Sequence, residues 1–173
     1  MRSTKKRVAK YYWAYGSNLN KAQMKLRCPK AKVVGPFPLE DGALVFRGVA
    51  DVEGRKGSVV PGGLWKITPE CEAALDRYEG VAWKMYDKRY IVLKMPNGKV
   101  VDCLFYKMRS RGIMPPSETY LNSIIQGYKD FGLDMSYLEQ AVEHSWSKKN
   151  KTAVEKRRYM RWGQPSLARA LEE

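Results

Sequence analysis

The run Tyr15-Gly16-Ser17-Asn18-Leu19-Asn20 follows directly on the aromatic segment Tyr11-Tyr12-Trp13-Ala14. Aromatic residues suit a strand, glycine permits a sharp turn, and serine or asparagine caps a helix. A strand that delivers such a turn to a helix N-terminus gathers several backbone N–H groups at one point, which attracts a carboxylate or a developing oxyanion. Taken alone the turn supports two readings, a ligand site or a connection that holds only water. The rest of the inventory narrows the chemistry. His144 is the single histidine; a structural or exposed role is expected of it, and one histidine rules out a multi-histidine metal site. Cys28, Cys71 and Cys103 lack paired-ligand spacing, so buried packing is expected of them. No Gly-x4-Gly-Lys loop or Gly-x-Gly-x-x-Gly fingerprint occurs, and the glycine spacing around Ser17 is not that of a nucleophile elbow. A carboxylate acting as acid or base remains. Glu79 ends an otherwise apolar helix face in Leu75-Asp76-Arg77-Tyr78-Glu79-Gly80-Val81. The helix dipole opposes a carboxylate there, and burial beside Tyr78 would raise its pKa and improve it as a general base. The plainer alternative is an exposed helix-end glutamate, or one paired with Arg77 or Arg89.

The elements that must position these residues are marked by their caps and spacings. Lys21 to Arg27 reads as a short amphipathic helix, stopped before Pro29. Ala43-Leu44-Val45-Phe46 and Gly63-Leu64-Trp65-Lys66-Ile67 read as strands, the first followed by a Gly-rich passage. Thr68 as N-cap, Pro69 at the first helical position and Glu70 in the first turn open a helix. Cys71, Ala74, Leu75 and Tyr78 carry its inner face, and Gly80 stops it. Tyr90–Leu93 and Val100–Tyr106 are joined by Pro96-Asn97-Gly98, a hairpin turn because Asn-Gly tolerates positive φ. After Pro115-Pro116, Ser117 caps a helix with Tyr120, Leu121, Ile124, Ile125 and Tyr128 on one side, and Gly132 ends it. Asp134 or Ser136 opens a last helix with Leu138, Ala141 and Val142 inward. Strands first and helices later predict an α+β domain over residues 11–145, with a mostly antiparallel or mixed, barrel-like sheet.

At 173 residues with 44% hydrophobic content, the chain is long enough for one domain with a real core. The net charge of +14 is uneven. Residues 1–10 carry five Lys or Arg and no acid, and residues 146–173 carry eight against three acids, which leaves +4 for residues 11–145. The body is therefore not markedly basic. A basic N-terminal arm and a basic tail either touch phosphate through counterion release or serve as solubilising ends, and the second reading is preferred. No apolar run is long enough to span a bilayer, and Met1-Arg2-Ser3-Thr4-Lys5-Lys6-Arg7 lacks a following signal-peptide core, so a cytoplasmic location is expected.

Tyr12 to Leu19, then Gly63-Leu64-Trp65-Lys66-Ile67-Thr68, then Leu75 to Val81 resemble three signatures of the γ-glutamylcyclotransferases (AIG2-like proteins). Pro115-Pro116-Ser117-x-x-Tyr120, with the helix running to Gly132-Leu133, resembles a later part of that family. The resemblance implies a small mixed β-barrel with helices packed around it. It implies cyclisation of a γ-glutamyl amide to 5-oxoproline with release of the amine, and no cofactor or metal. It also implies that Tyr12, Trp13, Ala14, Tyr15, Gly16, Ser17, Asn18 and Leu19 surround the glutamyl head. Glu79 would then be the proton acceptor, Tyr120 would contact substrate and Tyr106 would line the pocket.

One segment departs from that pattern. Lys148 to Arg161 is rich in cations, with Trp146, Tyr159 and Trp162 interleaved or flanking. Such a mixture binds single-stranded nucleic acid by stacking and charge, or lays its aromatic residues on the domain and exposes its cations. The second is preferred. A non-catalytic binding module, with the same pocket and with basic ends touching nucleic acid or an acidic partner, is the alternative to an enzyme.

Overall fold

The computed structural model describes residues 10–147. The N-terminal arm up to residue 9 and the tail from residue 148, with Tyr159 and Trp162, lie outside the described residues.

Strand β1 (Tyr11–Ala14) runs into a 3₁₀ turn over Ser17–Leu19 and then helix α1 (Lys21–Arg27). Asn20 caps α1 by accepting a hydrogen bond from the Gln23 N–H at 3.1 Å. Next come β2 (Lys32–Pro36), β3 (Leu39–Phe46), β4 (Ala50–Val60) and β5 (Gly63–Lys66). Helix α2 (Pro69–Tyr78) starts where the sequence predicts: the Thr68 hydroxyl accepts from the Cys71 N–H at 3.2 Å, and Pro69 follows it. The β6 (Tyr86–Lys94) and β7 (Val100–Met108) hairpin turns through Gly98 at φ +81°. Ser117 caps α3 (Glu118–Phe131), Gly132 ends it at φ +63°, and Asp134 caps the first turn of α4 (Met135–Ser147) by accepting from the Ser136 N–H. Helix α4 extends past residue 145, so Trp146 is a buried helical residue of the domain and not part of a tail.

Five strands form one mixed sheet in the order β2-β5-β1-β7-β6, while β3 and β4 pair only with each other among the described residues. β1 is central, antiparallel to β5 and parallel to β7. The barrel expected from the sequence is not closed, and side chains are the reason. Where β4 approaches β7, the Met108 N–H donates to the buried Asp51 carboxylate at 2.9 Å, and the Lys107 ammonium donates to the Val52 carbonyl. A carboxylate and an ammonium thus take the polar groups that a continuing ladder would pair. The core covers both faces of the sheet. Trp13, Leu64, Leu104, Leu121, Ile124 and Leu138 are nearly inaccessible, and all three cysteines are buried and free. Burial pushes the Cys28 and Cys103 thiols up to about 12, far from the thiolate a nucleophile needs.

Candidate active site around Glu79

Glu79 is the C-cap of α2, with its N–H bonded to the Leu75 carbonyl at 2.8 Å. The chain then reverses through Gly80 at φ +63°, where a Cβ would lie 2.9 Å from the Met85 sulfur. Only glycine suits both the left-handed conformation and that approach. The Glu-Gly pair therefore ends the helix and keeps the carboxylate beside the β1 turn.

There Asn18 connects three elements. Its Nδ2 donates to Glu79 Oε1 at 3.2 Å and to the Tyr12 hydroxyl at 3.0 Å, while its Oδ1 accepts from the Arg27 guanidinium. Arg27 also lies over the Tyr78 ring, 3.5 Å from its centroid. Burial pushes the Glu79 carboxyl up to about 7, with the Arg27 charge acting in the opposite direction. Neither Arg77 nor Arg89 pairs with it; Arg89 pairs with Asp87 instead.

A cleft of about 230 Å³ opens on Glu79. Tyr12, Tyr15, Gly16, Ser17, Asn18, Tyr106 and Tyr120 line it together with Glu79. Trp13, Ala14 and Leu19 do not; they belong to the core. Trp13 points to the other face of the sheet, packs on Phe105 and donates from Nε1 to the Phe37 carbonyl at 2.7 Å. Ala14 and Leu19 are fully buried, and Leu19 sits under α3, where a Cβ on Gly127 would lie 2.5 Å from the Leu19 Cβ. Gly16 has a negative φ, −120°. Space is what it supplies, since a Cβ there would lie 3.1 Å from the Tyr120 hydroxyl and 3.2 Å from the Ala50 Cβ. Val49, Ala50, Tyr78, Met85 and Tyr86 complete the lining. Val49, Ala50, Met85 and Tyr86 escaped the sequence reading, as did Arg27, because they reach the cleft through long-range packing, whereas Tyr78, expected on the buried face of α2, is half exposed under the Arg27 guanidinium.

The hydroxyls of the cleft divide into two kinds. Tyr15 donates to the Tyr106 carbonyl at 2.5 Å, Tyr86 to the Ala50 carbonyl at 3.2 Å and Tyr106 to Asp76 at 2.6 Å, so their hydrogens are used within the protein. Tyr12 accepts from Asn18, and Tyr120 accepts from the Ala50 N–H at 3.0 Å. An accepting hydroxyl keeps its own hydrogen to donate, so Tyr12 and Tyr120 offer donors to whatever enters. Burial holds all five phenols well above their ordinary range, and the Glu79 charge adds to this. They are neutral donors at any physiological pH. Within the turn, the Leu19 N–H bonds to the Gly16 carbonyl and the Asn20 N–H to the Ser17 carbonyl. Of the earlier amides, the Ser17 N–H donates to the Tyr120 hydroxyl, and the Asn18 N–H has no acceptor inside the turn. No group of three or more His, Cys, Asp or Glu among the described residues could hold a metal ion. No helix among them is long and apolar enough to cross a membrane.

A carboxylate flanked by fixed donors at a strand-to-helix turn has the makings of an acid–base site, and comparison with known proteins gives the family. Residues 59–140 match the AIG2-like family. The chain is 32% identical over 138 residues to γ-glutamylcyclotransferase of Bos taurus, covering 73% of each protein. It is 32% identical over 141 residues to the Homo sapiens γ-glutamylcyclotransferase, covering 75% of each. A solved structure of γ-glutamyl cyclotransferase superposes with a TM-score of 0.67 at 30% identity, over 76% of this chain and 85% of that one. The chain belongs to the γ-glutamylcyclotransferase family.

Proposed function

We propose that the protein converts a γ-glutamyl amino acid or γ-glutamyl amine into 5-oxoproline and the free amine, with Glu79 as general base and then general acid. The observation that carries this reading is the Glu79 carboxyl, held in the cleft by Asn18 and pushed up to about 7. A group with that pKa accepts and returns a proton near neutral pH with little cost in either direction.

The steps balance on one carboxylate. The neutral α-amine of the glutamyl unit attacks the unit's own γ-carbonyl carbon through its lone pair, and Glu79 takes one proton from that nitrogen as the bond forms. A five-membered ring closes and the carbonyl oxygen becomes an oxyanion. Glu79 returns the proton to the leaving nitrogen, the carbon–nitrogen bond breaks and the carbonyl reforms. Attack is intramolecular, so holding the glutamyl chain folded contributes several kcal/mol, within the ~7–11 kcal/mol available from positioning. The O–H groups of Tyr12 and Tyr120 and the Asn18 amide supply donors for the α-carboxylate and the oxyanion.

Incubation with a panel of γ-glutamyl amino acids, γ-glutamyl amines and glutathione, followed by measurement of 5-oxoproline, tests it. Release of 5-oxoproline from at least one class is expected. Complete inactivity across all three would refute the enzymatic reading.

A further inference from the structure

A second cleft, of about 780 Å³, shares no lining residue with the first. Asp87 faces Lys107 in the β6–β7 ladder, one position from the Tyr86–Met108 and Lys88–Tyr106 pairs. Strand alternation therefore sends Asp87, Arg89 and Lys107 to the face of the hairpin opposite Tyr86 and Tyr106. The two clefts lie across the hairpin from one another.

Arg47, Arg55, Arg89, Lys107, Arg109 and Arg111 line the second cleft, with only Glu53 and Asp87 as acids. A third carboxylate, Asp51, lies buried behind them, 2.8 Å from Arg47 and 3.6 Å from Lys107. Each acid serves two cations. Asp87 meets Arg109 at 2.7 Å and Arg89 at 3.4 Å, and Glu53 meets Arg55 at 2.7 Å and Arg47 at 3.4 Å. Three positive charges remain in excess, in a body whose total excess is +4. The exposed Arg111 makes no ion pair among the described residues. Concentrating like charge in one concavity opposes folding and attracts anions.

The lining also indicates which anion. Arginine forks match phosphate oxygens in paired geometry. The cations form two groups, one on β3–β4 around Glu53 and one on β6–β7 around Asp87, an arrangement that suits successive phosphates rather than one. Met108 and Ile113 are its only apolar members, and no Phe, Tyr or Trp lines it, so bases have no stacking platform. His144 of α4 also lines it. We propose that this cleft binds the sugar-phosphate backbone of a nucleic acid without reading its sequence.

The test uses the full chain and fluorescence anisotropy with a labelled duplex and a labelled single strand of about 20 nucleotides, at about 50–200 mM salt. A triple variant, Arg55→Ala with Arg89→Ala and Arg111→Ala, removes cations that carry no described fold contact beyond the Arg–carboxylate pairs. A control triple, Lys25→Ala with Lys32→Ala and Lys94→Ala, removes the same charge outside the cleft. The cleft variant is expected to lose more than tenfold in affinity near 100 mM salt, with the slope of log K against log salt falling by about 2–3 for the duplex. The control is expected to lose less than about threefold, and both variants are expected to keep the wild-type melting temperature within a few degrees. Equal losses in the two variants, no binding by the wild type, or saturable uptake of inorganic pyrophosphate without binding of either nucleic acid would each overturn the proposal.

Discussion

Replacing Arg27 by methionine tests whether charge at Glu79 governs turnover. Arg27 reaches Glu79 only through Asn18, by a hydrogen bond to its Oδ1 and a second, at 3.2 Å, from its Nδ2. Two hydrogen bonds across one amide put the charges on the order of 7 Å apart, where they attract by roughly 0.6 kcal/mol at the dielectric of water and roughly 2.4 kcal/mol at 20. At 1.36 kcal/mol per pKa unit, loss of the cation raises the Glu79 pKa by roughly 0.4–1.7. The starting value is about 7, burial setting it high and Arg27 holding it from going higher. The ascending limb of kcat against pH, followed by 5-oxoproline release, should therefore move from near 7 to about 7.4–8.7. At pH 7 the variant should be about two- to twenty-fivefold slower, and it should recover by about pH 9.5 because the base itself is intact. Arg27→Lys keeps the charge and should leave the limb within about half a unit of wild type. A limb that stays put in Arg27→Met, or a loss equal at every pH, would show that Arg27 serves packing on Tyr78 and not the electrostatics of the base.

Glu79→Gln keeps shape and the Asn18 contact but removes the base, and turnover should fall about 10²–10⁴-fold. Because folding raises the Glu79 pKa from 4.5 to about 7, its stabilising share is complete below about 4.5 and is lost as pH rises through 7. The Gln variant should accordingly melt no lower than wild type at pH 8, and a large loss of stability there would contradict the burial of an ionised carboxylate. Tyr120→Phe and Tyr12→Phe should each cost about 10–100-fold in kcat/KM, the worth of a donor to a charged oxygen, while Tyr86→Phe should act mainly on the melting temperature. Full activity in Tyr120→Phe would remove its proposed donor role. In Gly127→Ala the new methyl meets the Leu19 Cβ at 2.5 Å and the Asn20 nitrogen at 2.8 Å. Overpacking against backbone should cost about 1–3 kcal/mol, read as a lower chemical-denaturation midpoint. The Tyr128 hydroxyl is buried with no hydrogen-bond partner among the described residues, so Tyr128→Phe should be neutral or stabilising by about 1 kcal/mol, and a marked loss would reveal an unseen partner.

Features that depend on a few neighbouring residues were legible in the sequence. Thr68-Pro69 and Gly80 mark the ends of α2, Ser117 and Gly132 those of α3, and Asn97-Gly98 the β6–β7 turn, because caps and turns are closed by hydrogen bonds and φ preferences within about four residues. Glu79 was legible in the same way, as a charge misplaced at the end of an apolar helix face. β2 left no trace, since Val33 and Val34 lie half exposed on an edge strand and show no alternation. β4 was hidden in its glycines and charged residues, and its pairing with β3 is what makes it a strand.

Which residues of the turn meet the cleft was settled only in three dimensions. Alternation across β1 turns Tyr12 toward Asn18 and Trp13 toward Phe105, so two adjacent aromatic residues take opposite parts. The open sheet was likewise decided by a non-local event, the Asp51 side chain taking the Met108 N–H from 57 residues away. The partner of Glu79 lies 61 residues from it in sequence. Residue type and local spacing thus determined which groups could do chemistry, and the packing of distant segments determined which of them meet.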